Sequence, residues 1–282
     1  MADVGLIGVG LVGSALAERL RMAGLSVVAY DLRPECLTGL TAAPSARAAA
    51  ESAPLVLLSL PDSDVVAEVI GEILPVLTGR TVVDTTTGDP DRTAALGQRL
   101  KAAGAEYVDA TISGSSRQVR DGTVAVMAGG EPEAVRRCER LFGLFASKWF
   151  HVGPWGSGTR MKLVVNLVLG LNRAALAEGL AFARAIGFDL GAALEVLKAG
   201  PAYCRVMDTK GPRMISGDFT AEARLSQHHK DVRLILAAAG RAGLDLPLSR
   251  VHDRLLVDLE GQGMGDLDNS AILHAFEPPG GR

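Results

Sequence analysis

The sequence predicts an α/β domain built on a doubly wound, mostly parallel sheet, followed by an all-α domain, with a long helix linking the two. Three observations lead there. Short apolar runs alternate with helical stretches through the first half, the pattern of parallel strands joined by helical crossovers. After about residue 155 no strand run of comparable strength occurs. At the junction, Gly158 to Gly187 reads as helix without a proline. A length of 282 residues suits two domains. The boundary is read as 1–155 for the α/β domain and 156–282 for the helical one.

The elements follow in order. Residues 3–9 and 25–31 read as short buried strands, with a helix over roughly 11–23 between them. PLVLLSL at 54–60 is a third strand, closed by Pro61 and followed by a helix rich in Val and Ile. RTVVDTT at 80–86 is a fourth. DPDRTAALGQRLKAAG opens on Asp-Pro, a helix start, and ends at Gly104 behind basic residues, a helix stop. EYVDA at 106–110, TVAVMAGG at 123–130 and KWFHVG at 148–153 complete the strands. The rest is helix punctuated by Gly-Pro pairs and by Gly240 and Gly243, and the closing EPPGGR reads as a frayed tail.

Composition narrows function. The 29 basic and 32 acidic residues leave a net charge of −3, without the basic excess of a nucleic-acid binder. Apolar residues at 48% against 22% charged exclude disorder as the main state. Aromatics at 4% leave little for stacking on bases or sugars. Cys36, Cys138 and Cys204 are odd in number and far apart, which argues against a disulfide framework or zinc knuckle and for reduced, cytoplasmic thiols. The N-terminus carries Asp3 and no basic segment, so it reads as a strand entering a glycine turn rather than a signal peptide. The apolar stretch LVVNLVLGLNRAALAEGLAFARAIG is interrupted by Asn166, Arg173, Glu178 and Arg184, short of the ~18 unbroken apolar residues of a membrane helix. Neither a membrane nor a nucleic acid is expected as a partner.

Gly8-Val9-Gly10-Leu11-Val12-Gly13 fits the G-x-G-x-x-G dinucleotide turn between a strand and a helix. The first glycine permits the turn, the second lets backbone approach a pyrophosphate, and the third lets helix and strand pack closely. The helix N-terminus offers N–H groups and partial positive charge to phosphates. Asp31, 23 residues after Gly8, stands at the end of the second strand, where a carboxylate bonds ribose hydroxyls and repels a 2′-phosphate. The cofactor expected is therefore NAD. Arg33 keeps NADP possible, because a nearby arginine can accommodate that phosphate.

Five segments in sequence order resemble the β-hydroxyacid dehydrogenase family, the 3-hydroxyisobutyrate dehydrogenase-like members of the 6-phosphogluconate dehydrogenase superfamily. These are GLIGVGLVGSALAERL, DTTTGDP (84–90), DATISGSS (109–116), GSGTRMKLVVN (156–166) and HKDVRL (229–234). The resemblance implies a Rossmann-like domain, a long interdomain helix, a helical domain, and a homodimer or homotetramer. It places Thr87 beside the nicotinamide and Lys230 near the cofactor. Ser113, Gly114 and Ser115 fall in the substrate loop, and Lys162 and Asn166 on the catalytic helix. This chain departs from the pattern at Thr111, where the family has proline, at Ser115, where it has glycine, and at Arg117, where it has a small residue.

Those residues allow a definite chemistry. Oxidising an alcohol by hydride transfer needs a group to take the hydroxyl proton. Lys162 suits that task as general base, and as general acid in reverse. Asn166 lies one turn on, at i,i+4, and can hold the substrate oxygen or the lysine. Ser113-Gly114 offers a hydroxyl and backbone N–H groups to a carboxylate, and Arg117 would favour a second anionic group if it reached inward. His228 and His229 are adjacent and point about 100° apart on a helix, unlike a metal pair at i,i+4, so no metal is expected. Asp268 reads as structural.

The expected activity is hydride transfer between NAD and a small 3-hydroxy acid, with its semialdehyde as product. The alternatives are an NADPH-dependent reductase of tartronate semialdehyde or of another carbonyl or imine, and a non-catalytic NAD-binding interaction protein. Lys162 argues against the imine reading, since imine reductases on this scaffold typically lack that lysine.

Overall fold

The computed structural model describes residues 1–277. Most of the tail EPPGGR, at 278–282, lies outside the described residues. The chain divides into two compact units, Met1–Lys162 and Leu163–Arg282, so the division falls inside the long helix.

The first unit is an eight-stranded sheet in the order β3-β2-β1-β4-β5-β6-β7-β8. Its strands are β1 (Val4–Ile7), β2 (Val27–Tyr30), β3 (Thr41–Ala42), β4 (Leu55–Leu58), β5 (Thr81–Asp84), β6 (Glu106–Ser113), β7 (Val124–Gly130) and β8 (Ala146–Gly153). Every neighbouring pair is parallel except β6 with β7. The helices are α1 (Leu11–Met22), α2 (Ala46–Glu51), α3 (Ser63–Ile73), α4 (Pro90–Ala102), α5 (Ser116–Arg120), α6 (Pro132–Arg137) and α7 (Glu139–Phe142). Consecutive strand residues serve opposite faces. Leu6, Leu57 and Val83 pack into one core with Phe142 and Phe145. Ile7, Leu58 and Val82 pack into the other with Ile70, Leu100 and Tyr107. Burial on both faces explains why these strands read as unbroken apolar runs rather than alternating ones. The chain runs outward from β1 to β2 and β3, then returns to β4 on the other side of β1. The strand order reverses there, which is where open α/β sheets bind ligands.

Two local features differ from the sequence reading. Strand β3 lies outside the sequence reading, because its two exposed residues carry no hydropathy pattern. Strand β6 continues through Thr111 and Ile112 to Ser113, so most of the expected substrate loop is strand. Polar Asp109 and Thr111 interrupt its apolar run yet are almost wholly buried.

The second unit contains most of α8 (Ser157–Ala185), then α9 (Leu190–Ala199), α10 (Val206–Thr209), α11 (Gly211–Ser216), α12 (Leu225–Arg241), α13 (Pro247–Gly261) and a closing 3₁₀ segment (Asn269–Phe276). Its core gathers Leu176, Leu180, Met214, Val232, Leu256 and Ile272. By length and apolar content α8 could cross a membrane. Asn166 and Arg173 on it are buried inside the protein.

A buried ion pair ties this unit together. Lys210 Nζ donates to both oxygens of Asp268, at 2.8 and 3.0 Å. Asp268 also accepts from the backbone N–H groups of Glu222, Ala223 and Ser270 and from the Ser270 hydroxyl. Burial would raise its carboxyl pKa, but the Lys210 ammonium and the Ser270 donors outweigh that and hold it at about 2. A depressed carboxyl pKa stabilises the fold above the ordinary value near 3.8 and loses that contribution as pH falls toward 2. Lys210→Met should cost ~3 kcal/mol in urea denaturation at pH 7, because it takes the ammonium from a buried carboxylate that keeps only its N–H and hydroxyl donors and Arg213 at 4.0 Å. A loss within error of zero would show that the pair contributes nothing.

Candidate active site

The glycine loop shows which of its glycines the fold itself requires. Gly8 sits at φ +92°, and a Cβ there would fall 2.3 Å from the Ser59 carbonyl oxygen. A Cβ on Gly13 would fall 2.1 Å from the Gly8 carbonyl oxygen. Gly10 is different: a Cβ there meets nothing within 4 Å. Its missing side chain clears the ground in front of α1. That helix has no side-chain cap and no acidic residue in its first turn, where Leu11, Val12 and Gly13 stand. An open face before an uncapped helix N-terminus suits a pyrophosphate. The residues present therefore fit a dinucleotide.

Asp31, just past β2, is mostly buried. Its Oδ2 accepts the Val9 N–H at 2.7 Å and its Oδ1 the Arg33 N–H at 2.9 Å. The carboxylate thus clamps the glycine loop to the end of β2, a task the sequence did not reveal. An ionised carboxylate has about four acceptor sites, so capacity remains for ribose hydroxyls. Arg33 Nε lies 3.5 Å from Asp31 Oδ1, with its side chain half exposed.

The loop after β5 joins β4 to β5 at their C-terminal ends. Thr85 donates through its hydroxyl to Leu58 O at 2.8 Å, and the Thr86 hydroxyl accepts the Leu60 N–H at 3.1 Å. Thr87, next along, is half-buried at the same edge. Beneath it Asp84 accepts the Thr86 N–H and the Tyr107 hydroxyl. Burial pushes the Asp84 carboxyl up despite those donors.

Strand β6 presents the remaining groups. Lys162 is buried, and its Nζ donates to the Ile112 carbonyl at 2.6 Å, immediately before Ser113. Gly114 follows at φ +152°, and a Cβ on it would fall 2.5 Å from a Val124 methyl, so backbone is bared at this turn. Ser115 is committed to α5 through a capping box. Its hydroxyl accepts the Gln118 N–H at 3.3 Å, and Gln118 Oε1 accepts the Ser115 N–H at 2.9 Å. The Ser-x-x-Gln spacing could have been read from the sequence. Ser113 and Gly114 are left as the groups suited to a carboxylate. Arg117 is exposed on α5.

In the helical unit, Asn166 is buried and donates through Nδ2 to Asp231 Oδ2 at 2.7 Å. Lys230 Nζ lies 3.2 Å from the other Asp231 oxygen. Asp231 therefore orients Asn166, a role that the adjacent acid in HKDVRL only hinted at. His229 bonds Glu260 and Asp253. Among the described residues no three metal-ligating side chains cluster.

Residues 3–153 match a profile described as the NAD-binding domain of 6-phosphogluconate dehydrogenase. Residues 156–276 match one described as the NAD-binding region of NADP-dependent 3-hydroxyisobutyrate dehydrogenase. The 2-hydroxy-3-oxopropionate reductase of Escherichia coli is 30% identical, with 97% of each chain covered. The chain belongs to the β-hydroxyacid dehydrogenase family.

This family member is an NAD(P)-dependent hydroxyacid dehydrogenase. It is also 27% identical to the 2-(hydroxymethyl)glutarate dehydrogenase of Eubacterium barkeri, over 97% of this chain and 94% of that one. A solved 3-hydroxyisobutyrate dehydrogenase from Mycobacterium tuberculosis shares its fold, with a TM-score of 0.87, 24% identity and coverage of 99% and 100%.

The glycines of the dehydrogenase give a paired prediction. Gly10→Ala should leave thermal stability unchanged yet weaken NADH binding at least about tenfold, or ~1.4 kcal/mol, because its methyl enters only the ligand's space. Gly13→Ala should lower stability outright, because its Cβ would collide with backbone. Fluorescence titration of NADH alongside thermal melts separates the two. Equal NADH affinity in Gly10→Ala would show that the loop does not take the pyrophosphate.

Proposed function

We propose that the chain interconverts a small 3-hydroxy acid of the 3-hydroxyisobutyrate type and its semialdehyde, with NAD as preferred cofactor and Lys162 as general acid and base. The observation that carries this reading is the buried Lys162 Nζ, held 2.6 Å from the Ile112 carbonyl directly before the Ser113-Gly114 turn. A substrate whose carboxylate lies at that turn brings its hydroxyl near the lysine. When bound, the nicotinamide supplies the hydride acceptor. Lys162 takes the hydroxyl proton as the alcohol becomes a carbonyl, and as ammonium returns it when the carbonyl is reduced. The Ile112 carbonyl keeps Nζ in place through both directions. Asn166, fixed by Asp231, is the second polar group on the helix that carries Lys162. The Escherichia coli relative is named for reducing 2-hydroxy-3-oxopropionate, which supports a small semialdehyde as the carbonyl partner.

The preference for NAD rests on Asp31. Its carboxylate is fixed at the ribose end by the Val9 N–H, and Arg33 leans on that same carboxylate. A 2′-phosphate would meet the negative charge first.

Lys162→Met should lower turnover by ~10²–10⁴-fold, the span of a general acid–base contribution, while NADH affinity stays near the parent value. The assay follows nicotinamide absorbance over a panel of 3-hydroxy acids, with NAD and NADP separately. Near-normal turnover in Lys162→Met at neutral pH would assign the proton to another group. Equal efficiency with NADP would remove the cofactor preference.

The helical unit also supports self-association. Val164, Val168, Phe182, Ile186 and Phe188 are each half or more exposed in and just after α8. We propose a homodimer or homotetramer through this half of the chain, as apolar helix faces are ordinarily covered. Sedimentation at micromolar concentration should show a dimer or larger species. A monomer would refute it.

A further inference from the structure

Asp109 is a buried acid to which the chemistry above gives no task. It stands in the middle of β6 at 1% exposure. Its Oδ1 accepts the Gly156 N–H at 3.0 Å, and its Oδ2 accepts the Thr159 N–H at 3.0 Å. The Thr159 hydroxyl lies 3.5 Å from the same oxygen. Two residues along the strand, the Thr111 hydroxyl donates to Gly158 O at 2.9 Å. One residue further, the Ile112 carbonyl receives Lys162 Nζ. The strand thus grips the start of α8 at three successive points, and Lys162 is the last of them.

The enclosure is tight. A Cβ on Gly129 would fall 2.5 Å from Asp109 Oδ1, and one on Gly158 would fall 2.8 Å from Oδ2. No acidic residue stands in the first turn of α8 itself, so Asp109 is the anion at that helix N-terminus. Among the described ion pairs no cation meets it. The titratable groups that face it are Asp84 and, on β6 itself, Tyr107. From α8 and the turn before it come only backbone N–H groups and the Thr159 hydroxyl.

We propose that Asp109 is a positioning residue for the reaction: its carboxylate seats the first turn of α8 and so places the Lys162 ammonium beneath the end of β6. This rests on the reading of Lys162 as acid and base. The charge on Asp109 matters because charge-assisted hydrogen bonds are roughly twice as strong as neutral ones. Burial pushes its carboxyl up to about 6, with the Thr159 and Gly156 N–H groups holding it back and Asp84 adding to the rise. Protonation near pH 6 then loosens the seat. The consequence for stability has the opposite sign. A carboxyl whose pKa is raised by folding contributes stability below its ordinary value near 3.8, and loses it as pH rises through about 6. Between pH 4 and 6 turnover should rise while this residue's contribution to stability falls, a divergence that a purely structural acid does not produce.

The test is the pH dependence of turnover and of thermal stability, from 4 to 9, in the parent, Asp109→Asn, Asp109→Glu and Lys162→Met. The parent should show an acid limb near pH 6. Asp109→Asn should lower turnover about ten- to a hundredfold, the scale of a displaced catalytic group, keep its NADH affinity, and lose the limb. Asp109→Glu retains the charge and should retain the limb at reduced turnover, which provides the reading if the Asn variant fails to fold. Parent-like turnover and an unchanged limb in Asp109→Asn would overturn the proposal, as would a parent profile with no limb near pH 6. If instead Lys162→Met is fully active, the reading of Lys162 fails, whatever Asp109 does.

Discussion

The close approach of the start of α8 to the sheet is the constraint on which the placement of Lys162 depends. Backbone of one element meets backbone and carboxylate of another with no space for a methyl group. A Cβ on Gly158 would lie 2.5 Å from Met127 O, and one on Gly156 would lie 2.4 Å from Pro90 O. Just upstream, Trp155 donates to Tyr107 O at 2.9 Å and packs on Gly97, where a Cβ would fall 2.4 Å from the indole. The glycines of the Gly-Ser-Gly turn are thus spent on packing. Such contact leaves the long helix little freedom at its root. A lysine in the second turn of a helix so held has a fraction of the freedom it would have on a loop, and pre-organisation of that kind is what positioned acid–base groups require.

The dinucleotide end is organised by the same economy of space. Gly8 and Gly13 let strand and helix meet, and Gly10 leaves a gap that no protein atom fills. Asp31 fixes the loop from below through the Val9 N–H. One carboxylate therefore ties the glycine loop to the end of β2. These features, the Thr85–Thr87 edge and the end of β6 all belong to one sheet, at the C-terminal ends of parallel strands, where open α/β sheets hold their ligands.

Much of this was legible in the sequence. The apolar runs at 54–60 and 80–86 announced buried strands because both faces of β4 and β5 are covered. Asp89-Pro90 announced α4 because the Asp side chain caps the helix, accepting the Asp91 and Arg92 N–H groups. The glycine loop, Asp31 and Lys162 were visible as residue types at meaningful spacings. What stayed hidden depended on tertiary neighbours. Nothing local tells that Asp109 accepts N–H groups 47 and 50 residues away, or that Asn166 is oriented by Asp231 across 65 residues. A lone acid within an apolar strand was the available hint, since a buried charge needs donors. Ser115 falls in the substrate loop by family resemblance, while its own spacing to Gln118 is that of a helix cap. Strand β3 left no trace because two exposed residues carry no pattern.

In the proposed reaction Lys162 exchanges the proton with the substrate hydroxyl at the end of β6. A crystal structure with NADH and an unreactive hydroxy-acid analogue tests it most directly. Lys162 Nζ should then lie within hydrogen-bond distance of the analogue's hydroxyl oxygen, about 2.6–3.2 Å, with the carboxylate on Ser113 and Gly114. An analogue bound with its hydroxyl served by water or another side chain, and Lys162 still engaged only with the Ile112 carbonyl, would contradict it.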